Sequence, residues 1–224
     1  MCGRFNVHDL SGALLWLFGM SEGPQQPPRY NIAPSQQVAT VRNKDQGEER
    51  EVVLLRWGLL PRWAKDPAMG TRMINARAET VAEKPSFRAA YRRRRCLFPA
   101  WGYYEWRNVE GGKQPYYIYL KQDKPFAMAG LWEHWQDEEG TQIETCAIIT
   151  TEANPLTRPI HHRMPVIIAK EQIDRWLDPS VEGGDALGGL LKPYSDAEMA
   201  AHPVSTHVNR PANNDPQCMA ALEK

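Results

Sequence analysis

The chain opens Met1-Cys2-Gly3-Arg4. A small second residue permits removal of Met1, which would leave an amine and a thiol on one residue. An α-amino group has a reference pKa of about 7.7 to 8.0 and a thiol one of about 8.5, so each has an appreciable nucleophilic fraction near neutrality. Together they trap aldehydes. The amine forms a Schiff base with the carbonyl carbon, and the thiolate then closes onto that carbon to give a thiazolidine ring. Taken alone, a cysteine at this place is more often a small buried hydrophobe than a nucleophile.

Other residue types could serve such a reaction. Glu105 stands between Tyr104 and Trp106, and an apolar aromatic setting raises a carboxyl pKa towards the range useful for proton transfer. A strand glutamate paired with an arginine is the plainer alternative. His161 and His162 are adjacent, so they are not i, i+4 ligands, and no third donor at zinc spacing accompanies them. The four cysteines, Cys2, Cys96, Cys146 and Cys218, form no C-x-x-C pair, which predicts neither a metal site nor a disulfide framework and fits a reducing, cytoplasmic setting. No cofactor is called for.

The elements that must position these residues are mostly strands. Asp9 and Ser11 are candidate caps for a helix with Leu14, Leu15, Leu17 and Phe18 before the stop signal Gly19. A proline-rich loop, Gly23 to Arg29, follows. Val38 to Arg42 and Val52 to Trp57 read as a hairpin about the turn Asn43 to Glu49. Tyr116 to Leu120, Phe126 to Trp132 and Glu144 to Thr151 read as an antiparallel meander, and Met164 to Ala169 as a further strand. Short helices are predicted over Ser86 to Arg95, Lys170 to Leu177 and Asp196 to Ala201, the last capped by Ser195.

With 224 residues, 42% apolar and 24% charged, the composition is that of a soluble globular protein. No repeat or linker divides it, so one α+β domain over residues 1–224 is expected, and nothing indicates an oligomer. No window approaches the roughly 18 to 20 uninterrupted apolar residues that a membrane helix requires. The apolar run Gly12 to Met20 lacks the basic flank and cleavage site of a signal peptide. The 27 basic and 27 acidic side chains balance, which argues against a broad basic field for coating nucleic acid but leaves room for a small local site.

Three stretches carry a resemblance to a known family: Arg29-Tyr30-Asn31-Ile32-Ala33-Pro34, Arg56-Trp57-Gly58-Leu59-Leu60-Pro61-Arg62-Trp63-Ala64 and Ile74-Asn75-Ala76-Arg77-Ala78-Glu79-Thr80. Cys96-Leu97-Phe98-Pro99-Ala100-Trp101-Gly102-Tyr103-Tyr104-Glu105-Trp106, Ile160-His161-His162-Arg163-Met164-Pro165 and Pro203-Val204-Ser205-Thr206-His207-Val208-Asn209 continue it in order. With Cys2 in the required place, the chain resembles the SRAP family, the SOS response-associated peptidases, over nearly its whole length.

The resemblance implies a single β-rich domain of antiparallel, barrel-like sheets flanked by short helices. It implies binding to single-stranded DNA with abasic sites and a crosslink between Cys2 and the ring-opened sugar. Self-removal of the residue before the cysteine and β-elimination at the lesion are implied too, as is a nucleoid-associated location on DNA. It assigns proton transfer to Glu105, a place beside the nucleophile to Asn75, and the family's histidine role to His161, with His162 at the variable position; a histidine there suits sugar-hydroxyl or phosphate contact and acid catalysis. Arg4 and Arg77 offer planar forks for phosphate oxygens; surface salt bridges are their plain alternative.

Trp63 and Trp106 are candidates for stacking on bases beside the lesion, whereas Trp57, Trp101, Trp132, Trp135 and Trp176 are expected to pack. Pro34 either shapes the DNA path or is a plain turn proline. The run Arg92 to Arg95 reads foremost as a solvated helix end, with DNA contact as the alternative. Two other functions remain open. The Met-Cys-Gly start also resembles glutamine amidotransferases with an N-terminal cysteine, and a non-covalent reader of modified bases would leave Cys2 incidental.

Overall fold

The computed structural model describes residues 2–44, 47 and 49–222. Met1, whose removal the sequence leads one to expect, lies outside the described residues, as do Asp45, Gln46 and Glu48 of the turn expected over Asn43 to Glu49, and Glu223 and Lys224.

In chain order come β1 (Phe5–Val7), α1 (Leu10–Phe18), β2 (Arg29–Ile32), β3 (Gln37–Asn43), β4 (Arg50–Trp57), β5 (Asn75–Arg77), α2 (Arg88–Arg93), β6 (Arg95–Ala100) and β7 (Gly102–Val109). β8 (Gly112–Leu120), β9 (Phe126–Gln136), β10 (Gln142–Glu152), β11 (Arg163–Pro165), β12 (Ile167–Ile168), α3 (Ile173–Leu177), α4 (Asp185–Gly188) and β13 (Met199–Pro203) complete the order. Strands dominate, and the helices are short, as the sequence leads one to expect.

Strands β10, β4, β3, β6 and β9 pair in that order, and β9 returns to β10, so the five close into a barrel. An odd ring cannot alternate strand direction all the way round. One junction must be parallel, and it is β4 on β10. β5 and β11 add to β10, and β12 to β9. The second sheet is antiparallel, in the order β13-β8-β7-β1-β2. It packs on the barrel through Phe5, whose ring meets Trp57 edge-on at 5.3 Å and Phe98 at 6.2 Å. Trp57 and Phe98 are fully buried.

Local chemistry explains the elements the sequence foretells. Asp9 accepts from the Gly12 amide at 2.8 Å and caps α1, while Gly19 ends it in the left-handed region at φ 67°. Leu10, Ala13, Leu14 and Leu17 follow the i, i+3, i+4, i+7 spacing of a buried stripe. The hairpin of β3 and β4 is antiparallel from Gln37↔Arg56 to Asn43↔Arg50. Trp57, Trp135 and Trp176 are buried, and Trp132 lies beneath the Arg42 guanidinium at 4.0 Å, in keeping with packing roles.

Three expectations are corrected. Tyr116 to Leu120 belongs to β8 of the second sheet, so it forms no meander with β9 and β10. Gln122 and Asp123, both at positive φ, and a bridge from Leu120 to Lys124 make a turn that carries the chain between sheets. The strand expected over Met164 to Ala169 divides in two. β11 pairs with β10 and β12 with β9, and Val166 between them donates to Ile149 and accepts from Ala129. Finally, only Asp196–Glu198 is a helical turn, and the Ser195 side chain makes no cap. The following residues instead form β13, since the exposed edge of β8 offers five paired positions, Leu120 to Tyr116.

Candidate functional site

Cys2 lies just before β1, fully buried. Its carbonyl accepts a hydrogen bond from Asn75 Nδ2 at 3.0 Å. Asn75 reaches that place because β5 is a three-residue strand in parallel register with β10, Ile148↔Asn75 and Thr150↔Arg77. Alternation sends Ala76 into the core and leaves Asn75 and Arg77 on the opposite face. Asn75 Oδ1 is buried with no hydrogen-bond partner among the described residues. An amide with one spent donor and one unspent acceptor is suited to a ligand carrying a hydroxyl.

β7 supplies the acid. Glu105 is only 3% exposed, and burial pushes its carboxyl up to about 7. A raised carboxyl is what the sequence leads one to expect, but the pleat shows that the rings of Tyr104 and Trp106 are not its cause. Tyr104 and Trp106 pack on the other face of β7, against Tyr117, Val204 and Val208, whereas Glu105 shares the face of Tyr103, two residues before it. Tyr103 belongs to the core that includes Cys2, Phe5 and Phe126. No arginine pairs with Glu105 among the described residues, which removes the structural alternative of a strand salt bridge.

His161, in the segment between β10 and β11, sets Nδ1 3.8 Å from Glu105 Oε1. The Arg163 amide donates to the same Nδ1 at 3.0 Å. Burial holds the imidazole pKa below its ordinary value, so the ring is neutral at physiological pH. His162 is exposed, and its ring lies tilted against that of His161 at 4.4 Å between centroids. The Cys2 thiol is pushed up by burial and then by the Glu105 charge. A buried thiol beside a carboxyl is therefore uncharged at rest, and its attack requires a partner to take or share its proton.

Arg4 sits on the other side of the N-terminal segment. Its Nη1 donates to Asn31 Oδ1 at 2.8 Å and to the Val208 carbonyl at 2.7 Å, and its guanidinium lies 5.7 Å from the centre of the Trp106 ring. Its Nε is buried without a partner among the described residues, and no carboxylate neutralises it there. Asn31 braces the arrangement by donating to the carbonyls of Val208, Arg210 and Asn213. Trp106 Nε1 donates to Asn209 at 2.8 Å, so its ring is fixed between Arg4 and the C-terminal segment.

Cys2, Asn75, Glu105 and His161 thus come together, Arg4 and Trp106 meet in a second group on the other face of β7, and Arg77 shares the face of Asn75 with its side chain exposed. Trp63 is 54% exposed on the connection from β4 to β5, and among the described residues it makes none of the hydrogen bonds or ring contacts that join the others. Pro34 is half-buried in the turn from β2 to β3, which is closed by the Gln36 amide on the Ala33 carbonyl at 3.4 Å and tied to the end of β4 by the Ser35 amide on the Trp57 carbonyl at 2.8 Å; its turn role is the one visible.

The run Arg92 to Arg95 is not one surface. Arg95 opens β6, is 3% exposed and donates to the carbonyls of Tyr91, Arg92, Trp176, Asp178 and Val181. Arg94 binds Glu133 at 2.6 Å. Only Arg92 and Arg93 are exposed, and Arg93 pairs with Glu182 at 3.6 Å. A solvated helix end therefore describes half of the run.

Two residues were not singled out from the sequence. Arg163 grips Glu79 with both ends of its fork, at 2.6 and 3.0 Å, and binds the Thr150 carbonyl. It ties the segment after β5 to the His161 segment, and both partners lie within motif blocks already noted, which is the signal that could have found them. Tyr103 is the other: its hydroxyl is buried without a hydrogen-bond partner among the described residues. A separate group, His207, Asp215 and Cys218, brings its donor atoms within 4.8 Å of one another. His207 Nε2 lies 2.9 Å from Asp215 Oδ2, a contact that fastens the C-terminal segment beneath Arg4.

The model of the family described as SOS response associated peptidase (SRAP) matches residues 1–211. "Abasic site processing protein YoqW" of Bacillus subtilis is 45% identical over 222 residues, covering 97% of this chain and 98% of its own. "Abasic site processing protein HMCES" of Gallus gallus is 34% identical over 227 residues, covering 88% of this chain and 67% of its own. A crystal structure of a protein from Bacteroides thetaiotaomicron superposes with a TM-score of 0.87 at 31% identity, covering 99% of this chain and all of that one. With the family model matched over residues 1–211, and the Bacillus subtilis relative aligned over 97% of this chain and 98% of its own, this protein belongs to the SRAP family.

Proposed function

We propose that the protein processes abasic sites in DNA, as the names of its relatives state of them, and that it does so by capturing the lesion in single-stranded DNA through Cys2. The observation that carries the reading is the setting of Cys2. Its carbonyl is fixed by Asn75, and a buried carboxyl poised near neutrality faces the same space.

After loss of Met1, the Cys2 amine attacks the aldehyde carbon of the ring-opened sugar. The carbonyl electrons move to oxygen, which takes up protons and leaves as water, giving the imine. The thiol then adds: sulfur bonds to carbon, the π electrons pass to nitrogen, and the thiol proton ends on that nitrogen. Glu105 moves these protons, since a carboxyl near 7 has both forms available. Asn75 holds a sugar hydroxyl through Oδ1, and neutral His161 contacts the hydroxyl or phosphate beside it. Arg4 and Arg77 bind phosphates flanking the lesion, with Trp106 against a neighbouring base.

The imine also makes the adjacent sugar proton acidic, so its removal and departure of the 3′ phosphate give the β-elimination activity. Removal of Met1 by the chain itself belongs to the same proposal. Trp63 and Pro34 are proposed only for the outer DNA path. The protein acts as a monomer on nucleic acid in the cytoplasm and requires no cofactor.

The test is intact mass and a denaturing gel after incubation with an abasic oligonucleotide. The mature chain should begin at Cys2 and give a heat- and detergent-resistant adduct, which Cys2→Ala abolishes. An equal yield of acid-stable adduct from Cys2→Ala would sink the thiazolidine. Glutaminase turnover without an adduct would instead favour the amidotransferase reading.

A further inference from the structure

The buried thiol of Cys2 raises a problem that the residues named so far leave unsolved. A thiolate withdrawn from water needs hydrogen-bond donors around it. Those facing Cys2 are few. The Arg4 amide, on its own segment, is a donor to the sulfur, Asn75 spends its Nδ2 on the Cys2 carbonyl rather than the sulfur, and Glu105 on β7, when ionised, opposes a negative sulfur. His161, neutral and 3.8 Å from Glu105, adds no positive charge.

Tyr103 has what is missing. It is fully buried, on β7, opposite Phe5 in register and on the same face as Glu105. It lies in the same core group as Cys2. Its ring is seated edge-on against Phe126 at 6.4 Å, so the hydroxyl is not free to turn out to solvent. That hydroxyl has no hydrogen-bond partner among the described residues, although buried hydroxyls in folded proteins nearly always have one. Cys2 and Glu105 are the groups whose charges act on it. Burial keeps the phenol protonated across the working range, so it can serve as a donor and not as a base.

The geometry points to Tyr103 as a positioning residue whose hydroxyl donates a hydrogen bond to the Cys2 sulfur as that sulfur loses its proton and attacks. The inference rests on Cys2 being the nucleophile and extends that reading by naming what stabilises it. A phenol is suited to this place. It offers a hydrogen bond without a charge, so it does not counter the rise of Glu105 that makes the carboxyl a useful acid. A lysine or arginine there would depress Glu105.

The experiment removes one oxygen, in Tyr103→Phe, which keeps the ring that packs on Phe126. The thiolate of mature Cys2 is followed by its far-ultraviolet absorbance against pH, as the difference between each protein and the same protein carrying Cys2→Ala. Adduct formation is timed with an abasic oligonucleotide, and non-covalent affinity is measured with a tetrahydrofuran analogue that has no aldehyde. Tyr103→Phe should move the thiolate midpoint upward and slow adduct formation about ten- to a hundredfold, the scale of one hydrogen bond to a charged group. Affinity for the analogue should hold, and Tyr103→Trp, which returns a donor to the same face, should recover part of the midpoint shift if it folds.

An unchanged midpoint in Tyr103→Phe would overturn the proposal and leave the hydroxyl a structural group satisfied by water. A shifted midpoint in a protein that forms no adduct even as wild type would sustain the link between Tyr103 and Cys2 while refuting the capture of abasic DNA.

Discussion

Replacing Glu105 by glutamine should separate holding DNA from reacting with it. Glutamine keeps the shape and most hydrogen bonds of the side chain but cannot exchange protons. Loss of a positioned acid or base typically slows a reaction about 100- to 10,000-fold. Both directions should suffer. Formation requires protons delivered to the departing oxygen, and reversal requires one delivered to the ring as the bond between carbon and sulfur opens.

The same substitution has a stability consequence with a definite sign. A carboxyl lifted from 4.5 to about 7 by burial binds its proton more tightly folded than unfolded. Its favourable contribution is complete below about pH 4.5 and is lost as pH rises through about 7. At about 1.4 kcal/mol per pH unit the loss amounts to roughly 3 kcal/mol. Glu105→Gln carries no such penalty, so its stability relative to wild type should improve between these pH values and level off above them. The assays are urea unfolding across that range and transfer of protein from a purified adduct to a competing abasic oligonucleotide of another length. If Glu105→Gln forms and exchanges adducts at wild-type rates, or if its relative stability is flat with pH, Glu105 is a structural residue and the mechanism loses its acid.

Arg4→Ala and Arg77→Ala should each weaken binding to single-stranded DNA and flatten the slope of log affinity against log salt by about 0.7, one phosphate contact apiece. A double variant with the wild-type slope would move the phosphate contacts elsewhere; Arg94 and Arg95, committed to Glu133 and to backbone carbonyls, could not take them. Gly130→Ala tests the barrel: its Cβ would lie 2.2 Å from a Phe98 ring carbon and 3.1 Å from the Ala147 carbonyl oxygen. Overpacking of this kind should lower stability by about 1–3 kcal/mol, seen as a lower urea midpoint at unchanged slope, and wild-type stability would show that the seam between β9 and β10 is looser than described.

Much of the fold was legible because its signals are local. Asp9, the stripe Leu10, Ala13, Leu14 and Leu17, and Gly19 define α1 within a single short stretch, and the alternation of β3 and β4 defines their hairpin. What was not legible depends on distant partners. Nothing within Tyr116 to Leu120 says that its neighbours are β7 and β13 rather than β9. β1 and β5 are three residues long, too short to show a period, and exist because β7 and β10 offer them edges. Met199–Pro203 follows an acidic turn that reads as a helix start, and tertiary pairing overrides that local preference.

The site was legible in composition and not in geometry, and Glu105 shows why the two differ. Sequence adjacency put Tyr104 and Trp106 around it, yet in a strand adjacent residues are the ones that cannot share its surroundings. Burial sets its proton affinity first, with the Trp106 amide and the Lys113 charge acting the other way, and the side chain that shares its face stands two residues away in sequence, at Tyr103. Reading a strand with period two would have found Tyr103 without a structure, because a Tyr-x-Glu pair must present both side chains to one face. Cys2 needs the register of β1 on β7, Phe5↔Tyr103, which no local pattern encodes. The acid is effective because it is buried with a thiol and a phenol, and the thiol is inert at rest for the same reason. The reaction therefore depends on how protons are shared among these three groups, more than on the intrinsic strength of any one of them.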